Sequence, residues 1–354
     1  WILLITFLMI LLYWFLMVLI FHEELKSPEE YDAITQDGAR IHLYRFPPKG
    51  VEKKKYPLLL CHGLGASAYN FADPRHNWAE VFSRHGYDTW VIDLRGHGKS
   101  KAPKRNWVFE DYLIDLDSAI QKILEVTGAS KIFWVGHSMG GLLLYAYLIT
   151  RGEDKIARGV TLGSPVGFAP DTLRPFQWGL RFSWLMYFLP KVPIRLFVQL
   201  TIPLFPFCSF LPIYDLQFNP ENVELYKMWK TSFNALYSIP VPLMRQFERW
   251  AREHRFDSYD KKVNYLEKLE EIKTPILVIS GRKDIMAHPK NVLPAYERLR
   301  GPKQYVELAK EKGFSADYGH IDLVFGKKAM EEVLPLAEAW LEGKEEKVLS
   351  LGKG

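Results

Sequence analysis

Five residues constrain this chain more than any others: Gly136-His137-Ser138-Met139-Gly140. The pattern Gly-x-Ser-x-Gly is loose by itself. Here it stands between a short apolar run, 131–135, and a stretch of helical periodicity, 139–150. A strand that turns into a helix over one residue needs small neighbours and forces the apex residue into strained backbone angles. Gly136, Gly140 and Gly141 supply the room. Ser138 is then lifted above the strand end, beside a helix N-terminus whose dipole favours developing negative charge. That is the setting of a nucleophile rather than of a plain Gly/Ser turn.

The rest of the chain carries the same alternation. Apolar runs at 57–61, 87–93, 131–135, 156–162, 275–280 and 304–308 read as strands. Segments 77–84, 111–127, 139–150, 289–300 and 327–342 read as helices, and 31–35 with 40–46 as a hairpin around Gln36-Asp37-Gly38. Strands alternating with helices imply βαβ units and a mostly parallel central sheet with helices on both faces. Residues 165–262 lose that rhythm. They hold aromatic runs around Phe176, Trp178, Phe182 and Trp184, then prolines at Pro203, Pro206 and Pro212. The expectation is a core of 31–164 and 263–342, a helical lid or cap inserted at 165–262, and a polar tail at 343–354.

A serine hydroxyl is a weak nucleophile until a base takes its proton. In open α/β folds the partners follow in the order Ser, acid, His, on loops past the strand ends. Asp284, in Ser280-Gly281-Arg282-Lys283-Asp284, and His320, in Tyr318-Gly319-His320, occupy such loops. His320 is the expected general base, and Asp284 the acid that orients it. Asp257, Asp260 and Asp317 lack strand-end placement, and Asp322 lies two residues from His320. His62, His97 and His137 read as structural neighbours. The oxyanion needs backbone donors: the N–H of Met139, and an N–H from His62-Gly63-Leu64-Gly65, for which Leu64 is the candidate. Asp93 to Ser100 follows another strand end and reads as a buttress.

Residues 1–21 carry no charge. At about 1.5 Å per residue they reach roughly 30 Å, the thickness of a bilayer core. A secretory leader has a shorter apolar region and a small-residue cleavage site, whereas Phe21-His22-Glu23-Glu24 follows here. The expectation is a single-pass anchor over 1–22. The downstream flank offers only Lys26, so the side of the membrane stays open.

Composition removes other classes. Of 354 residues, 48% are hydrophobic and 25% charged, a globular balance. Two cysteines, Cys61 and Cys208, rule out a disulfide scaffold. Ten scattered histidines without HExxH spacing give no metal site, and a net charge of +5 without a basic stripe gives no nucleic-acid footprint. Nothing implies a cofactor.

Taken together, His62-Gly63-Leu64-Gly65, Asp93 to Ser100, Gly136 to Gly141, Gly281 to Asp284 and Gly319-His320 resemble the α/β-hydrolase superfamily. The resemblance covers roughly 31–342 and places the insertion where that family carries its lid. Ser138 departs from the branches with an Asp nucleophile (epoxide hydrolases, haloalkane dehalogenases) and from the polyester synthases, which use Cys. Asn77-Trp78, Gly86 to Trp90 and His320-Ile321-Asp322 look like the acid-lipase branch, although that branch usually has Gln where this chain has Met139. The resemblance implies an α/β-hydrolase fold and a serine hydrolase acting on carboxylic esters; the uncharged segment 1–21 adds the expectation of a membrane anchor, and together with the aromatic-rich insertion it favours an apolar or lipid-like acyl chain. Thioesterases, acyltransferases, C–C hydrolases and perhydrolases share the scaffold, and a catalytically silent binding protein is the reading outside enzymology.

Overall fold

A computed structural model of the chain describes residues 1–172, 181, 184, 188–201 and 217–352. From the N-terminus, α1 (Ile2–Phe21) leads into β1 (Glu29–Ile34), β2 (Arg40–Phe46) and β3 (Leu58–Cys61). Then come α2 (Trp78–Arg84), β4 (Thr89–Asp93), α3 (Phe109–Thr127), β5 (Ile132–His137), α4 (Met139–Arg151) and β6 (Ile156–Leu162). The intervening segment contributes α5 (Ile194–Thr201), α6 (Leu225–Ala235) and α7 (Val241–Glu253). The chain closes with β7 (Ile276–Gly281), α8 (Pro289–Arg298), β8 (Lys303–Leu308), α9 (Ala329–Leu341) and α10 (Glu345–Leu351).

Eight strands form one sheet in the order β1-β2-β4-β3-β5-β6-β7-β8. Only β2 runs against the others; it pairs antiparallel with β1 and β4, and every other pairing is parallel. β3, β4, β5 and β7 are buried at every position, as strands covered on both faces must be. Side chains alternate between two cores: Trp134 of β5 belongs to the one that holds Leu143, Trp250 and Val278, whereas Val135 belongs to the one that holds Trp78, Leu162 and Trp340. The chain passes from β3 outward to β4, then back across to β5 on the other side of β3. That reversal opens a crevice at the C-terminal ends of β3 and β5, where ligands bind in such sheets.

Helix α3 turns Leu113, Leu116, Ile120 and Ile123 inward and stops at Gly128, whose φ of 69° only glycine takes readily. Residues 345–351, expected as part of a polar tail, form α10 instead. Val348 is fully buried there among the sheet-covering helices while Leu349 and Leu351 stay exposed, a distinction that the short stretch did not announce. Within the segment joining β6 to β7, Lys191–Val192 pairs antiparallel with Ile239–Pro240, a short ribbon that the irregular sequence did not signal. Phe176, Trp178, Phe182, Pro203, Pro206, Cys208 and Pro212 lie outside the described residues.

Candidate active site

Ser138 adopts φ 53°, ψ −118° between β5 and α4. Positive φ at a residue with a Cβ costs on the order of 1–3 kcal/mol and persists only where the surroundings enforce it. The enforcement is visible. A Cβ on Gly136 would lie 2.3 Å from the Gly140 carbonyl oxygen, and one on Gly140 2.1 Å from that of Cys61, so strand and helix approach too closely for larger residues. The Ser138 N–H donates to the Leu162 carbonyl of β6 at 2.8 Å. The Ser164 hydroxyl donates to the Ser138 carbonyl at 2.8 Å.

Asp284 lies three residues past β7 and is buried. Its Oδ2 is 2.8 Å from His320 Nδ1, and its Oδ1 accepts from the Ala287 N–H at 2.6 Å. A carboxylate only accepts, so Nδ1 of His320 carries the proton and Nε2 is left as the acceptor. Gly163, at the end of β6, backs this pair: a Cβ there would lie 3.0 Å from Asp284 Oδ2 and 3.3 Å from His320 Nδ1. The residue before it, Leu162, holds the Ser138 amide. The loops that follow β5, β6, β7 and β8 thus bring Ser138, Asp284 and His320 to one edge of the sheet.

His137 ties the elbow to the histidine loop. Its Nε2 is 3.1 Å from the His320 carbonyl oxygen, and the two rings are 4.9 Å apart. Burial, reinforced by the neighbouring His320, pushes its pKa down to about 3, so the ring is neutral with a single N–H. That proton goes to the His320 carbonyl, and Nδ1 must accept. The Asn70 amide, 3.1 Å from Nδ1, then presents its nitrogen, which has no partner when the oxygen faces the ring. Asn70 and Ser164 were not among the sequence candidates, because a lone Asn or Ser in a loop carries no pattern.

Gly63 passes directly over Ser138; a Cβ on it would be 3.1 Å from Ser138 Cβ. His62 pins this loop. Its Nε2 accepts from the Leu94 N–H at 3.1 Å, so its Nδ1 proton goes to the Gly63 carbonyl at 2.9 Å. Burial lowers its pKa, which keeps the ring neutral as this pairing requires. The Gly65 carbonyl accepts from the Tyr237 N–H at 2.7 Å, linking the loop to the Ile239 ribbon. Leu64 is half-buried on this loop, and Met139, the first residue of α4, is buried. The next motif is scaffolding. Asp93 accepts from the Ala68 N–H at 2.7 Å and the Lys99 N–H at 2.8 Å. A Cβ on Gly98 would lie 1.7 Å from its carboxylate. Arg95 bridges Asp115 and Asp37, and His97 is buried with Nδ1 3.0 Å from the Arg95 carbonyl.

The other acids are engaged elsewhere. Asp257 meets Arg249 at 2.7 Å, Asp260 accepts from Ser258 at 2.7 Å, and Asp317 accepts from the Lys310 N–H at 2.8 Å. Asp322 accepts from the Gly319 N–H at 2.9 Å, the Asn219 N–H at 3.2 Å and Asn222 Nδ2 at 2.7 Å. It clamps backbone on either side and is not hydrogen-bonded to the His320 ring. Burial pushes it up to about 6, against the pull of those three donors. Among the described residues, no cluster of three or more His, Cys, Asp or Glu could hold a metal.

A model of the alpha/beta hydrolase fold matches residues 56–327. Lipase lipl-1 of Caenorhabditis elegans is 31% identical, the alignment covering 86% of this chain and 85% of that protein. The gastric triacylglycerol lipase of Mus musculus is 26% identical over 86% of each. An esterase from Exiguobacterium antarcticum superposes with a TM-score of 0.57 at 18% identity, covering 88% of this chain and 98% of that one; at such identity the likeness is one of fold.

Proposed function

This chain belongs to the α/β-hydrolase fold family and is a carboxylic ester hydrolase, and we propose that it cleaves esters of apolar, lipid-like acyl chains through Ser138, His320 and Asp284. The observation that carries the assignment of roles is the pairing of a strained, elbow-borne Ser138 with a buried Asp284–His320 hydrogen bond of 2.8 Å on the neighbouring strand ends. His320 Nε2 takes the Ser138 Oγ proton as Oγ bonds to the ester carbonyl carbon. The carbonyl oxygen becomes an oxyanion, held by the N–H groups of Leu64 and Met139. The C–O bond to the leaving alcohol then breaks, and His320 gives that alcohol its proton. Water repeats the sequence: His320 removes its proton, the hydroxide attacks the acyl carbon, and Ser138 leaves with the proton returned. Asp284 keeps Nδ1 protonated throughout and stabilises the transient imidazolium.

Two features support a lipid-like substrate. The relatives named above are lipases, one of them a triacylglycerol lipase. Helix α1 is twenty uncharged residues without a buried one, which favours a single-pass membrane anchor. Its ties to the body favour an anchor over a cleaved leader: Tyr13 donates to the Leu200 carbonyl at 3.1 Å, and Asn234 Nδ2 to the Phe21 carbonyl at 2.9 Å. Segment 165–262 is assigned as the lid, in keeping with its ribbon against the 62–65 loop.

A fluorophosphonate probe with a series of p-nitrophenyl esters tests the reading. The full chain is expected to label and to prefer longer acyl chains, and Ser138→Ala to do neither. Undiminished labelling of Ser138→Ala would overturn the roles, and a preference for acetate would overturn the substrate class.

A further inference from the structure

Helix α5 departs from the pattern of a helix in water, although Ile194 packs on the core and Val198 and Leu200 are half-buried. Its one buried residue is polar, Gln199. Leu196 and Phe197 face outward at 49% and 60% exposure, and Phe188 and Leu189, just before the helix, at 81% and 46%. The cation of this helix turns the other way: the Arg195 guanidinium lies 4.2 Å from the centre of the Tyr237 ring. Soluble amphipathic helices put their apolar stripe toward the core and their charges outward. The reverse arrangement is stable where the surrounding medium is itself apolar.

Helix α1 identifies that medium. Tyr13, Trp14, Met17, Val18 and Phe21 are its half-buried residues, and they recur at helical spacing along one stripe. This stripe rests on α5 and α6. Trp14 Nε1 donates to Gln199 Oε1 at 3.0 Å, Tyr13 to the Leu200 carbonyl at 3.1 Å, and the rings of Phe21 and Phe233 are 5.6 Å apart. Residues 1–12 are exposed on all sides. At about 1.5 Å per residue these twelve project roughly 18 Å beyond the body, somewhat more than half a bilayer core of about 30 Å. The half beside α5 therefore falls in the other leaflet. The first acid after the helix, Glu23, pairs with Arg75 at 2.7 Å and with Lys230, and so marks the level at which charge returns.

Resting on the reading of α1 as a membrane anchor, we infer that residues 188–201 lie within the acyl region of one leaflet, beside residues 13–21 of α1. The enzyme is thereby seated in the bilayer surface rather than tethered above it. The placement bears on the substrate. Lys191–Val192 immediately precedes α5 and pairs with Ile239–Pro240, and a Cβ on Gly65 of the loop over Ser138 would lie 3.1 Å from Ile239. An ester-bearing lipid reaches the oxyanion loop along this ribbon from within the leaflet.

The test uses the full chain in phosphatidylcholine vesicles, with Cys208→Ser as background; Cys61 is fully buried. An environment-sensitive fluorophore is placed by Phe197→Cys in α5, by Leu11→Cys in α1 and by Gln121→Cys on the exposed side of α3. Each is read with lipids brominated along the acyl chain. Only chains that still react with a fluorophosphonate are measured, and Leu196→Cys replaces Phe197→Cys should the latter fail to react. Quenching at positions 11 and 197, with none at 121, is the expected result. Quenching at 11 but not at 197 overturns the inference and leaves the anchor standing. Quenching at neither overturns both. Self-quenching at 197 that disappears on dilution with unlabelled chain, without lipid quenching, assigns the face to a second copy of this chain and also overturns the inference.

Discussion

The proposed catalytic edge, at the C-terminal end of the sheet, and the α1–α5 arm sort their residues by opposite rules. At the edge, His62, Asp93, His137, Asp284, His320 and Asp322 are all buried, each with hydrogen-bond partners, and large apolar side chains fill the space around them. In the arm, Gln199 is buried while Leu196 and Phe197 face outward. Buried polar groups are tolerated only with partners, and exposed apolar stripes only against an apolar medium or another surface. The comparison teaches that one chain sorts its residues in two ways: a protein interior in which buried polar groups are hydrogen-bonded, and an arm that turns apolar side chains outward.

The largest effect tests the edge. Ser138→Ala is expected to lower kcat by about 10⁴-fold or more, because the members of such a relay act as a unit. Steady-state hydrolysis of a soluble ester measures it, and a residual activity above about a tenth would place the nucleophile elsewhere. Ser138→Gly should abolish activity equally but raise stability by about 1 kcal/mol in denaturant unfolding, since glycine relieves the positive φ.

Next come the two buried acids on either side of His320. Asp284→Asn is expected to cost about 10³- to 10⁴-fold in kcat, since an amide no longer holds the Nδ1–H tautomer. Asp322→Asn should cost less than about tenfold, because Asp322 fixes backbone and leaves the ring alone. Equal losses would erase the distinction.

Asp322 also predicts a pH-dependent stability. Its folded pKa is raised to about 6 by burial, above the ordinary carboxylate value of 3.8. Between those values the folded state holds a proton that the unfolded chain has released. Stability from this group is therefore greatest below about pH 4 and falls as pH rises through about 6, by on the order of 2–3 kcal/mol. Urea unfolding from pH 4 to 7 should show that decline, and Asp322→Asn should flatten it. An unchanged slope in the variant would detach the effect from Asp322.

The smallest effect on chemistry is expected in the arm. Deleting residues 1–22 removes no group of the catalytic edge, so kcat/KM on a soluble ester should stay within about threefold of the full chain. Vesicle flotation of the same variant should show weaker partition. A large loss on the soluble ester would join the two regions that the comparison separates.

The elbow and the proposed partners of Ser138 stand out in sequence because their constraints are local. A one-residue strand-to-helix turn demands small flanks, so Gly136, Ser138 and Gly140 stand out in sequence, and loop positions after strands single out Asp284 and His320. The strand and helix alternation was legible for a similar reason, since periodicities of 2 and 3.6 are properties of neighbours. Asn70, Ser164 and the backbone clamp of Asp322 were not, because each role depends on a partner distant in the chain: Asn70 on His137, Ser164 on Ser138, Asp322 on Asn219 and Asn222.

The sequence by itself determined that residues 1–21 are apolar enough to leave water, that a serine stands on an elbow, and that the strands form a mostly parallel sheet. Only the tertiary structure decided what Asp322 does: its carboxylate turns to the Gly319 and Asn219 N–H groups, while Asp284 meets His320 at 2.8 Å. It alone set α1 against α5 and turned Gln199 inward, because an amphipathic stripe in sequence states that two faces differ but not which one meets the protein. That choice depends on what packs alongside, here Trp14 and its hydrogen bond to Gln199, nearly two hundred residues away.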